Sequence, residues 1–147
     1  MKKITMLFAT VFAFTTSQAL TTEEPIDTQV LKAFEIRFDG ATDVSWTVEK
    51  NYYEAIFTQH NQKLYAFYGF DGKFIAVTRY ILSSALPLRL HNNLKKLMDC
   101  YWITDLFEVA SDEGRTYYVT LENADCKMVL ESTTMSNWSV FQKDKQD

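Results

Sequence analysis

The feature that most constrains this 147-residue chain is a match to itself after a shift of 64 residues. Without a gap, Tyr53 falls on Tyr117, Ala55 on Val119, Phe57 on Leu121, Leu64 on Met128, Ala66 on Leu130 and Phe74 on Trp138. Lys63 falls on Lys127 and Ala76 on Val140 in the same frame. Apolar meets apolar at every second position, which is the period of a strand whose side chains alternate between two faces. A match of this kind means one supersecondary unit used twice, the two copies burying their apolar faces side by side.

Each unit reads as one helix followed by four strands. Asp27 can cap a helix in which Ile26, Val30, Ala33, Phe34 and Phe38 recur at helical spacing, and Gly40 ends it. From there to Tyr80, short aromatic and β-branched runs are broken by polar turns, the pattern of a four-stranded meander. Ser83 or Ser84 can cap a second helix with Pro87 in its first turn and Leu90, Leu94, Leu97 and Met98 as its stripe. Four more strands are predicted near 101–109, 115–122, 127–133 and 137–142. The expected fold class is therefore α+β: a tandem α-β4 repeat, about 26–80 and 83–143, whose antiparallel sheet has helices on one face and leaves the other open.

Register decides which residues reach the open face, because a slip of one residue exchanges the faces. In the second half Val119, Leu121, Met128, Leu130, Trp138 and Val140 form an apolar set, with Thr120, Glu122, Lys127, Glu131, Asn137 and Ser139 opposite. Carried back by 64, the helix-covered set becomes Tyr53, Ala55, Phe57, Leu64, Ala66, Tyr68, Phe74, Ala76 and Thr78. The open face then receives Tyr52, Glu54, Ile56, Tyr65, Phe67, Lys73, Ile75, Val77 and Arg79. A three-residue loop Phe70-Asp71-Gly72, with Gly72 left-handed, would pair Gly69 with Lys73 and set Tyr68 beside Phe74. A two-residue Asp-Gly turn would pair Phe70 with Lys73 instead.

Residues 1–19 read as a signal peptide: Lys2 and Lys3, an apolar run from Ile4 to Phe14, then Ser17-Gln18-Ala19 as a small-x-small cleavage site. That run is too short to cross a hydrocarbon core of about 30 Å as a helix, and no longer one follows. The expected location is periplasmic or secreted, with residues 20–147 as a single domain. Loss of Lys2 and Lys3 leaves 13 basic against 19 acidic residues, a net charge of −6. That balance disfavours nucleic acid as a partner, since its affinity is built mainly from neutralised phosphates.

At this point the residues resemble a known group. "FDGATDVSW" (38–46), "YYEAIF" (52–57), "FDGKF" (70–74), "TRY" (78–80), "LP" (86–87) and "YYV" (117–119) are similar to motifs of the exported PepSY-like proteins of Bacteroidetes, a group similar in fold to the β-lactamase inhibitory protein. The resemblance implies a tandem α-β4 fold with an open, often concave, sheet face. Related PepSY modules are associated with inhibiting or chaperoning peptidases, and the inhibitory protein clamps its enzyme with an aromatic-rich open face. The second half departs from the pattern, with Met135-Ser136-Asn137 where a second Asp-Gly-Lys turn would stand. No functional residue of the inhibitor maps by motif onto this chain.

Searching for chemistry yields little. Four glycines give no phosphate-cradling loop and no G-x-S-x-G elbow. His60 falls in a turn and His91 on the second helix, neither with a second ligand at zinc spacing. The acids are scattered over turns and solvent-facing strand positions, as Asp43, Glu49, Glu122 and Glu131 illustrate. Asn137-Trp138-Ser139 is formally a glycosylation sequon, discounted beside a bacterial-type leader. Cys100 and Cys126 lie before the fifth and seventh strands, two strands or about 9–10 Å apart, against a disulfide reach of about 7 Å between Cα atoms. Only an inward-bending loop would join them. The expectation is a non-catalytic binding module without metal or cofactor, whose candidate face is Tyr52, Ile56, Tyr65, Phe67, Lys73, Ile75, Val77 and Arg79. Its occupant would be a protein or peptide partner, a second copy of the chain, or the chain's own segment 20–26.

Overall fold

The computed structural model describes residues 25–145. The signal peptide expected over 1–19 lies outside the described residues. Helix α1 (Thr28–Arg37) is followed by strands β1 (Thr42–Val48), β2 (Tyr53–Gln59), β3 (Gln62–Tyr68) and β4 (Phe74–Tyr80). After a 3₁₀ turn (Ser83–Ala85) come α2 (Leu88–Lys95), β5 (Trp102–Ser111), β6 (Gly114–Glu122), β7 (Cys126–Ser132) and β8 (Ser139–Lys145). All eight strands form one antiparallel meander in chain order, and the β4–β5 pairing joins the two halves. This is the α+β architecture expected, with both helices on one face.

Local chemistry explains the elements. Asp27 caps α1 by accepting from the Gln29 amide at 2.7 Å, which satisfies a donor that the first helical turn leaves free. Val30, Phe34 and Phe38 then pack on Ala55, Phe57, Ala66 and Tyr68 to form the first core. The second helix departs from expectation. Ser83 and Ser84 enter the 3₁₀ turn, and Pro87 stands just before α2, which begins at Leu88. Proline suits that place because it has no backbone N–H to leave unpaired. Leu90 and Leu94 pack on Val119, Leu121, Met128 and Leu130 to form the second core, whereas Met98 lies beyond the helix and is exposed.

The ladders carry the repeat in detail. Tyr53↔Tyr68, Ala55↔Ala66 and Phe57↔Leu64 recur, 64 residues on, as Tyr117↔Ser132, Val119↔Leu130 and Leu121↔Met128. The β1–β2 ladder recurs in β5–β6, but its first strand is offset by 60: Ser45↔Ile56 becomes Asp105↔Thr120, and Val48↔Tyr53 becomes Glu108↔Tyr117. Even the bulge near Asp43 has its counterpart between Ile103 and Asp105.

The three-residue reading of the β3–β4 turn is the one adopted. The Gly69 amide donates to the Lys73 carbonyl at 2.8 Å, and Gly72 takes a φ of +79°. Tyr68 pairs with Phe74 as that turn requires. Phe67, however, pairs with Ala76, so Ile75 is an extra residue in β4. A bulge of this kind turns the strand beyond it by one position. Ala76 and Thr78, expected under the helices, therefore lie on the opposite face, and Val77 and Arg79, expected on the open face, lie under the helices beside Ala66 and Glu108. The second half has its bulge at Phe141, between Val129↔Gln142 and Leu130↔Val140, two residues later in the repeat frame. Over that interval a shifted strand of one half therefore stands against an unshifted strand of the other.

Candidate functional site

The face away from the helices, called here the far face, is built from alternate positions of all eight strands. Five side chains form its centre: Phe67, Ala76, Val109, Tyr118 and Val129 are buried together, with Tyr52, Tyr65, Ile75, Phe107 and Phe141 packed against them. Rings cross the sheet in sequence. Tyr65 meets Tyr80 edge-on at 6.3 Å, Tyr80 meets Phe107 at 6.2 Å, Phe107 stacks on Tyr118 at 5.3 Å, and Tyr118 meets Phe141 edge-on at 5.5 Å. Tyr52 closes on Phe67 at 5.6 Å. Edge-to-face and offset pairs of this kind hold their neighbours in fixed orientation.

Of the eight residues expected to form the binding face, Tyr52, Ile56, Tyr65, Phe67 and Ile75 stand on the far face. Phe67 is only 2% exposed and belongs to the floor of the cluster rather than to its surface. Val77 packs against the first core. Lys73 stays at the turn, its ammonium 2.9 Å from Asp71, and lines a helix-side groove with Arg37 and Phe74. The Arg79 guanidinium lies 3.4 Å from the buried Glu108 carboxylate and donates to Gln62 at 2.7 Å. The cationic rim expected from Lys73 and Arg79 is absent from this face.

Residues that the sequence reading missed take their place. Tyr80 is 54% exposed and Trp102, which pairs with the far-face residue Glu122, is 55% exposed. Asp105 lies on the same face, opposite Thr120, and its charge, after burial, is a cause of the raised Tyr80 pKa. The other acids at paired far-face positions are Glu54, Glu131 and Asp144. Lys127 is bound to Glu122 at 2.8 Å, and Lys63 lies 5.7 Å from the centre of the Tyr65 ring. The face thus carries five carboxylates against two ammonium groups at its paired positions.

Burial, then the Glu49 charge, raises the Glu54 carboxyl above its ordinary range. Burial, then the Glu131 charge and hydrogen bond, pushes Tyr118 up to about 12, so its hydroxyl stays protonated. A depression of about 360 Å³ opens beside Tyr118 and Glu131, floored by Ala76 and Val109. Among the described residues no group of three or more His, Cys, Asp or Glu side chains could hold a metal ion, and no helix is long and apolar enough to cross a membrane. Cys100 and Cys126 are both free, one exposed and one buried, and the Cys126 thiol faces the Tyr101 hydroxyl at 3.8 Å.

An eight-stranded antiparallel meander, with one helix leading each half and both helices on one face, is the fold of the BLIP-like proteins, BLIP being the β-lactamase inhibitory protein. A BLIP-like protein from Bacteroides fragilis superposes with a TM-score of 0.72 at 12% identity, over 84% of this chain and 89% of that one. A DUF2874 family protein from Bacteroides ovatus gives 0.72 at 14% identity, over 83% and 89%. A candidate periplasmic protein from Bacteroides eggerthii gives 0.71 at 13% identity, over 83% and 90%. Likeness at these identities establishes the fold. No protein-family model and no curated protein matches the chain.

Proposed function

We propose that the chain is an exported, non-catalytic binding module of the PepSY-like group, and that it holds an extracytoplasmic protein on its far face as an inhibitor or chaperone-like binder. The observation that carries this reading is the aromatic row on that face, which holds the exposed Tyr80 between Tyr65 and Phe107. Rigid rings at a sheet surface lose little entropy on binding and supply most of the energy at protein interfaces. An apolar surface framed by polar groups usually marks an interaction site. The leader-like segment at 1–19 and the fold shared with a candidate periplasmic protein support export.

Photo-crosslinking tests the reading. A benzophenone amino acid placed at Tyr80 should give an adduct with one extracytoplasmic protein in the cells that make this chain. The same group placed at Ile36, which is 84% exposed on α1, should give none. Adducts from Ile36 with none from Tyr80 would move the interface to the helix side. An adduct of twice the chain's mass from Tyr80 would identify the face as a homo-oligomer contact.

A further inference from the structure

We infer that the far face recognises a basic segment of its protein partner, with an arginine or lysine side chain seated against Tyr80 and paired with Asp105. The inference rests on the far face being the binding surface and specifies what it binds. Tyr80, opposite Phe107, and Trp102, opposite Glu122, are each more than half exposed on this face. Asp105 lies on the same face and acts on Tyr80 electrostatically. No cation of the described residues lies within ion-pair distance of Asp105, although Lys127 is near enough to feel its charge while held by Glu122. An exposed ring beside an unpaired carboxylate offers a cation two attractions at once: the negative ring face and a charge-assisted hydrogen bond.

The rest of the face points the same way. Five carboxylates stand against two ammonium groups, and no arginine occupies a paired position there. One of the lysines is already neutralised by Glu122. A second copy of this chain is a poor occupant, because the sequence is net −4 and two acidic faces brought together repel. A partner bearing arginine or lysine complements the field and is steered towards it, most strongly at low salt. Arginine has the additional advantage of stacking flat on a ring while its fork meets a carboxylate.

The test uses the ¹⁵N-labelled protein and three peptide amides, acetyl-Leu-Arg-Leu, acetyl-Leu-citrulline-Leu and acetyl-Leu-Glu-Leu, followed by amide chemical shifts. The arginine peptide should move the signals of Tyr80, Asp105 and their strand neighbours, and bind at least roughly fivefold more tightly than the citrulline peptide. Asp105→Asn should remove that preference while leaving the spectrum otherwise native, and added salt should weaken it. Equal binding of the arginine and citrulline peptides, or preference for the glutamate peptide, overturns the basic specificity and leaves the face as an apolar binding surface. Should none of the three peptides shift far-face signals, both the specificity and the binding reading fail.

Discussion

Replacing Arg79 with methionine separates the observed register from the one the bare repeat suggests. In the structure Arg79 crosses the β4–β5 seam to Glu108, whose side chain is 9% exposed, and its own side chain is 32% exposed. Removing one partner of a buried ion pair costs about 3–5 kcal/mol, because the other charge is left in a poor solvent. Partial exposure of Arg79 and the second guanidinium, Arg115 at 3.9 Å, reduce the expected loss to about 2–3 kcal/mol. That is a large part of a domain stability of about 5–15 kcal/mol. Arg79→Met keeps most of the stem, so the loss reports the charge. Glu108→Leu should cost less, and the double variant should recover most of the loss, giving a coupling of about 2 kcal/mol. Urea unfolding followed by tryptophan fluorescence, with the m-value held constant, measures each corner of the cycle. A surface arginine on the far face would lose no more than about 0.5 kcal/mol and would not couple to Glu108. A coupling below about 0.5 kcal/mol therefore refutes the seam pairing and, with it, the bulge at Ile75.

Val77→Asp should unfold the protein or cost more than about 3 kcal/mol by placing a charge against the first core, while Thr78→Asp, one residue on, should stay folded by circular dichroism. Glu54→Gln should raise stability at pH 7 by less than about 1 kcal/mol. Because burial lifts the folded carboxyl above its ordinary 4.5, the charged form opposes folding above that range, and the gain should vanish as the pH falls below it in thermal melts at several pH values. Titration with a thiol reagent should modify Cys100 rapidly in the native protein and Cys126 only after denaturant is added.

Much of the fold was legible because alternation and the self-match describe the same physical fact. A strand buried on one face must place apolar groups at every second residue, and two copies of one unit must do so in the same frame. That reasoning places Ala55, Ala66, Val119 and Leu130 in the cores where they lie. It breaks down where one residue is added without changing composition. Ile75 looks like any strand residue, and nothing in its neighbours marks the position as a bulge rather than a step of the ladder. The start of α2 was misplaced for a similar reason: serine caps and proline starts both occur, and the backbone used the proline.

The single extra residue in β4 also sets the chemistry of the candidate site. With regular alternation from Phe74, the far face would hold Ile75, Val77 and Arg79, and Tyr80 would point under the helices. The bulge reverses this: Arg79 goes to Glu108 at the seam between the halves, and Tyr80 comes out between Tyr65 and Phe107. One insertion thus takes a cation off the far face and completes the row of rings across it. In the second half the later bulge, at Phe141, keeps that ring against Tyr118 and extends the row to the far edge of the sheet. The departures from the 64-residue frame are therefore where the chemistry of the candidate face is decided.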